Sequence, residues 1–263
     1  MYAFEYRRPE TLSAAVGDLA NPDAKALAGG MTLLPTMKQR LASPGALVDL
    51  RNVRELAGIA REGDNLVIGA MARHAEVARS NVVEAAIPAL ASLADIIGDP
   101  HVRAMGTIGG SLANNDPAAD YPAAALALGA TIVTNKRRIP AQDFFTGLFE
   151  TALEAGELIT QVSFPIPQRA AYMKFRNPAS RYALVGVFVA KTAGGARVAV
   201  TGAGSSGVFR AEEFEAALNA NFSPAALEGV SMDASGLNSD LHADADYRAH
   251  LIGVMARRAV AAA

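Results

Sequence analysis

Residues 107–120 read TIGGSLANNDPAAD. Two glycines, a serine, two asparagines and two aspartates share one short run. A plain surface loop is one reading of it. A loop shaped around a phosphate-bearing ligand is the other, because a Gly-Gly pair lets backbone N–H groups approach one anion with no side chain in the way. The second reading needs a companion elsewhere in the chain. Residues 28–32, AGGMT, supply one. Either pair alone is more often a turn. Two such loops converging on the two anionic groups of a diphosphate make physical sense, and main-chain donors remove any need for a lysine. If Thr32 opens a helix, its first N–H groups add a favourable dipole.

The segments around these loops read as follows. ETLSAAVGDLAN has helical apolar spacing at Leu12, Ala15, Val16 and Leu19, with Thr11 or Ser13 as cap. AKALAGG is a short buried strand. MTLLPTMKQRLA is a helix opening at Thr32, which tolerates Pro35 only near its first turn. GALVDLRNV and NLVIGAMA are strands. HAEVARSNVVEAAIPALASLADIIG is mostly helix, interrupted at Pro88. YPAAALALGATIVT gives a helix, a break at Gly129 and a strand, and ELITQVSFPIP is a further strand ended by prolines. The texture changes near Pro167. YMKFRNPASRYALVGVFVAKT and ARVAVTGAG read as antiparallel strands, followed by helices in AEEFEAALNA and YRAHLIGVMARRAVAAA. Strands first and helices later predict a small α+β domain.

VAVTGAGSSG contains a literal G-x-G-x-x-G at Gly202, Gly204 and Gly207. A dinucleotide fingerprint requires a helix opening at the third glycine and an acidic strand end about 20 residues on. VFRAEEFEAAL delays the helix, and Glu228 falls in a loop-like context. A strand-to-turn junction is the better reading.

The bulk composition narrows the function. The chain has 263 residues, 51% of them apolar, enough for one large domain or two small ones. A net charge of −2 with no basic run argues against nucleic acid. There is no cysteine, hence no disulfide, no thiolate nucleophile and no cysteine-held iron–sulfur cluster on this chain. His74, His101, His242 and His250 show no metal-ligand spacing. The opening MYAFEYRRPE has no apolar signal region, and no stretch approaches a membrane span, so a cytoplasmic protein is the expectation.

LAGGMTLLPTMKQRL, VRAMGTIGGSLANNDPAADYPAAALALGA and DYRAHLIGVMARRAV together resemble the FAD-binding medium subunit of molybdenum hydroxylases. This is the family of the carbon monoxide dehydrogenase flavoprotein and the flavin segment of xanthine dehydrogenase. The resemblance runs from FEYRRPETL to the C-terminus. It implies an α+β fold: an FAD-binding domain of the PCMH, or vanillyl-alcohol-oxidase, type over 1–168, in subdomains 1–55 and 56–168, then a small C-terminal domain over 169–263 with an antiparallel sheet. The FAD diphosphate would lie between the glycine loops. By position, Ala28, Gly29, Gly30, Met31, Thr32 and the following Leu33 match the first, and Thr107, Ile108, Gly109, Gly110 and Ser111 the second. Asp120 matches an aspartate that contacts the cofactor, and a carboxylate there can accept from ribose or ribityl hydroxyls. Asn115 and Asp116 lie in the same motif. Asn114 and Asn115 have a competing role in bonding the loop's own backbone, and Asp116 could cap a helix near Pro117. By position, Ile159 falls where relatives place an aliphatic residue beside the flavin, and Lys174 and Tyr182 fall near the segment that borders the isoalloxazine, where a lysine can stabilise negative charge and a tyrosine can cover a ring face. The alternative leaves Lys174 solvated and Tyr182 packed in the small domain. Met31 stands where relatives often carry a polar residue, which puts a side-chain contact there in doubt.

The resemblance further implies an electron-transfer subunit that receives electrons from a small [2Fe–2S] subunit, while a large molybdopterin subunit transforms the substrate, in a dimer of heterotrimers. No catalytic acid, base or nucleophile and no metal site is expected on this chain. A self-sufficient FAD oxidoreductase and a non-enzymatic nucleotide-binding scaffold are the competing readings.

Overall fold

The computed structural model describes all residues, Met1–Ala263. The N-terminal layer is a small parallel sheet of β1 (Glu5–Arg7), β2 (Ala24–Leu27) and β3 (Ala46–Asp49), with β3 in the centre. Its connections are α1 (Leu12–Asp18) and α2 (Leu33–Lys38). Every residue of β3 is buried, as expected for a parallel strand covered on both faces. Thr11 caps α1 by accepting from Ala14 N. The second helix ends at Lys38, short of the predicted Ala42, and carries Pro35 in its first turn.

Two 3₁₀ turns lead into β4 (Ile59–Glu62) and β5 (Asn65–Gly69). A helical run follows: α3 (His74–Arg79), α4 (Asn81–Ala86), α5 (Pro88–Asp95), α6 (Pro100–Met105), α7 (Ile108–Asn114) and α8 (Tyr121–Leu128). Next come β6 (Thr131–Thr134), β7 (Arg138–Pro140), α9 (Ala141–Phe144), the tight pair β8 (Phe145–Gly147) and β9 (Glu150–Thr151), and β10 (Ile159–Pro165). A five-stranded antiparallel sheet is ordered β4-β5-β10-β6-β7. All eight residues of α8 are buried, because YPAAALAL is apolar all round and lies between two sheets. Gly129 ends that helix in the left-handed region at φ 64°.

The chain closes with an antiparallel meander of β11 (Arg169–Arg176), β12 (Ala183–Thr192), β13 (Gly195–Thr201) and β14 (Phe209–Arg210), then α10 (Glu212–Ala220) and α11 (Ala245–Ala262). Alternation along β12 divides its side chains between two cores. Val185, Val187 and Val189 pack toward α11, whereas Phe188 and Ala190 join the core of the preceding domain. The meander is therefore a middle layer, buried on both faces, and it forms one wall of the site. The G-x-G-x-x-G run is a strand exit. Gly202 donates its N–H to Pro117 O at 2.8 Å, and the next helix waits until Glu212.

The predicted loop over 107–120 is corrected in its first half. Ile108–Asn114 is helix, capped by Thr107, whose Oγ1 accepts from Gly110 N at 3.1 Å. The cap and the close packing of Gly109 on Ala70 outweigh the low helix propensity of two glycines. A Cβ at Gly109 would stand 2.6 Å from the Ala70 Cβ.

Candidate functional site

Both glycine segments line one cavity of about 890 Å³, near the upper end of the roughly 300–1,000 Å³ usual for ligand sites. They also touch each other. A Cβ at Gly29 would lie 2.1 Å from Met105 O and 2.7 Å from Gly106 Cα, and one at Gly110 would lie 3.5 Å from the Ala28 Cβ. Only glycine permits that approach at position 29. Gly30 has φ 72°, the left-handed conformation that turns the chain from β2 into α2.

The two segments differ in their donors. The N–H groups of Gly29, Gly30, Met31, Thr32 and Leu33 have no acceptor within the protein, and all five residues line the cavity. Unpaired amides in such a run cost free energy unless a ligand or water accepts from them. In the second segment both glycine amides and their neighbours are engaged: Ile108 N with Ala72 O, Gly109 N with Ala70 O, Gly110 N with Thr107 Oγ1, and Ser111 N with Thr107 O; only Thr107 N has no acceptor in the protein. The expectation that both glycine pairs offer amides is corrected. The first supplies a donor run, and the second supplies a wall thin enough to let the first come close.

The other predicted residues distribute as follows. Ala28, Met31, Leu33, Thr107, Ser111, Asp116, Asp120, Ile159, Lys174 and Tyr182 line the same cavity. Ile108 does not. It is fully buried in the hydrophobic core. Asn115 also turns away: its Nδ2 donates to Gly147 O at 2.8 Å and Glu150 O at 2.9 Å, locking the β8–β9 hairpin, so its predicted place at the cofactor is corrected. Asp116 Oδ1 accepts from Ala118 N at 2.9 Å, a local turn, and the next helix starts only at Tyr121, so no cap at Pro117 forms. Tyr182 is half-exposed at the cavity edge, not packed in the small domain.

Asp120 and Lys174 form a buried ion pair at 3.0 Å, with side-chain exposures of 4% and 1%. Tyr172 adds its hydroxyl to the carboxylate at 2.6 Å. Burial pushes the Asp120 pKa up, against the pull of Lys174 and the Tyr172 hydroxyl. Lys174 is therefore not solvated. It joins β11 to the start of α8 and also reaches Ile96 O at 3.4 Å. Opposite, Glu157 accepts from Thr134 Oγ1, from Arg137 and from Glu154 N, which hold its pKa at about 2 despite burial.

Three features of the wall escape a reading of the sequence. Residues Ile97–Asp99 line the cavity, where Gly98 at φ 50° turns the chain and Asp99 caps α6 by accepting from His101 N and Val102 N. The G-D-P punctuation at 98–100 was the available signal. Ala179–Arg181 reach in from the β11–β12 turn. His74 sits in the wall as well, nearly sealed, its pKa lowered to about 4 by burial and by the nearby Arg103 charge. A lone histidine at a helix start carries no sequence signal of such a place.

A concave site with a run of bare amides, hydroxyls at its rim and a buried carboxylate suits a dinucleotide. Comparison with known proteins names it. Residues 2–167 match the family model described as the FAD binding domain in molybdopterin dehydrogenase. The carbon monoxide dehydrogenase medium chain of Afipia carboxidovorans is 36% identical, over 98% of this chain and 96% of that one. The nicotine 6-hydroxylase medium subunit of Paenarthrobacter nicotinovorans is 34% identical over the same shares. Among solved structures, a chain of carbon monoxide dehydrogenase from Hydrogenophaga pseudoflava superposes with a TM-score of 0.89 at 37% identity, covering 100% of this chain and 97% of that one. These relatives are medium subunits of multi-subunit oxidoreductases. The chain belongs to the family of FAD-binding medium subunits of molybdenum hydroxylases.

Proposed function

We propose that the FAD diphosphate rests on the amide run Gly29–Leu33, with the flavin ring toward Ile159, Lys174 and Tyr182. The observation that carries this is a run of five consecutive residues that line the cavity and whose N–H groups have no acceptor within the protein. Backbone donors fixed by the fold bind an anion without reorganising. Thr32, Thr107 and Ser111 line the same cavity, where their hydroxyls can orient the ligand. Asp120, held by Lys174 and Tyr172, presents a fixed carboxylate edge in the wall, and Tyr182 shields the opening.

When bound, FAD supplies redox chemistry that accepts electrons singly from an iron–sulfur centre and delivers them in pairs. The chain's own part is to bind, orient and shield it. The match to the FAD binding domain in molybdopterin dehydrogenase and to medium subunits of oxidoreductase complexes favours a relay over a self-sufficient oxidase or a scaffold that has lost flavin. The relatives named for carbon monoxide and for nicotine share this chain type at 36% and 34% identity, which supports substrate choice on another subunit. The partners on this reading are a large molybdopterin subunit and a small [2Fe–2S] subunit, paired as a dimer of heterotrimers in the cytoplasm. No helix is long and apolar enough to cross a membrane.

The test is reduction of the purified flavoprotein by its reduced [2Fe–2S] partner, followed by bleaching of the flavin absorbance. Rapid bleaching with the partner, and none with organic substrate alone, is expected. Turnover of a small organic substrate by this chain without partners overturns the relay.

A further inference from the structure

Two polar atoms behind the cavity wall have nothing in the protein to bond: His74 Nδ1 and Tyr121 Oη, both sealed. Their rings are neighbours, with centroids 5.3 Å apart and planes tilted by 49°. His74 is 4% exposed, yet it lines the cavity. Of its two ring nitrogens only Nδ1 is sealed, so Nε2 is the polar atom left to meet a ligand.

A neutral imidazole carries one N–H and one lone pair. Bare buried N–H groups are rarer than bare acceptors, so the sealed Nδ1 takes the lone pair and Nε2 takes the hydrogen. The position of Nε2 is fixed from two sides. His74 N donates to Gly106 O at 2.9 Å, and a Cβ at Gly106 would stand 2.6 Å from Nε2. Gly29 packs on that same Gly106. The imidazole therefore stands directly behind the point where the two glycine segments meet.

We propose that His74 is a binding residue for the flavin dinucleotide, donating from Nε2 as an uncharged group to a ligand oxygen on the glycine side of the cavity. This rests on the cavity being the flavin's site. An uncharged donor gives direction where Arg103 already supplies positive charge nearby.

The test is an FAD titration of the full chain carrying ¹⁵N, followed through its four histidine side chains and its backbone amides. The His74 signals are those lost in His74→Gln. The expected result is a neutral Nε2–H form at pH 7 whose Nε2 resonance moves on binding, together with the amides of Gly29–Leu33. In parallel, His74→Leu weakens FAD binding roughly three- to tenfold, the worth of one hydrogen bond, whereas His74→Gln, which keeps a donor, stays within about twofold. Amides that move while Nε2 does not overturn the role of His74 alone. If neither moves as FAD binds, the flavin lies elsewhere and both readings fall. The spectrum of the unmutated chain decides even if His74→Leu does not fold.

Discussion

Gly29 and Gly106 carry the contact on which the cavity depends, and neither tolerates a side chain. A Cβ at Gly29 would sit 2.1 Å from a backbone oxygen, so one of the two segments must move. Gly29→Val is expected to purify with less than a tenth of the flavin per chain, read from absorbance, while Gly17→Val, whose Cβ would meet nothing within 4 Å, keeps its flavin. His74 makes a second prediction. Its folded-state pKa, about 4, lies below the ordinary 6.5, so the flavin-free folded chain takes up a proton less readily than the unfolded one. Stability is therefore full above pH 6.5 and falls as pH drops toward 4, by up to about 3 kcal/mol. Denaturant unfolding at pH 7 and pH 4.5 should show this loss shrinking in His74→Gln. An unchanged loss would assign it to other groups. The glycine pairs were legible because they sit in long motifs. His74 was not, since its burial and its bare nitrogen arise only when α3 docks on Gly106.

The helix over Ile108–Asn114 shows what local composition hides. Glycine, serine and asparagine at 109–115 spell a loop by propensity, yet tertiary packing of Gly109 and the cap from Thr107 impose helix. The consequence is chemical: amides spent on Ala70, Ala72 and Thr107 are withdrawn from the ligand. The identity of the strands, the break at Gly129 and the switch to an antiparallel meander near Pro167 were readable from periodicity. Short edge elements such as β1, β4 and β7 were not, because they are mostly exposed and lack the apolar run that marks the equally short but buried β3. Asn115 ends α7 in the left-handed region at φ 42° and clamps the β8–β9 hairpin through two donated hydrogen bonds. Asn115→Ala removes both and leaves two carbonyls bare. Chemical denaturation should show a loss of about 2–3 kcal/mol. A loss below about 0.5 kcal/mol would mean that the hairpin holds itself.

Across the whole molecule, the meander is shared property. Phe188 and Ala190 complete the core of the N-terminal domain, and Lys174 crosses to Asp120 inside the cavity wall. The residues after 168 thus have a core of their own between the meander and the closing helices, and also contribute Tyr172, Phe188, Ala190 and Ala199 to the core before it. Lys174→Met leaves the Asp120 carboxylate buried without its cation, and the expected cost is about 3–5 kcal/mol, seen as a lower unfolding midpoint together with weaker flavin retention. An unchanged midpoint would show that the pair is dispensable for holding the meander against the site. The central claim concerns where the diphosphate lies, and a crystal structure of the protein with FAD bound tests it most directly. Phosphate oxygens should stand within hydrogen-bond distance of the amide nitrogens between Gly29 and Leu33. A diphosphate carried by other residues, with those five amides turned to solvent, would contradict it.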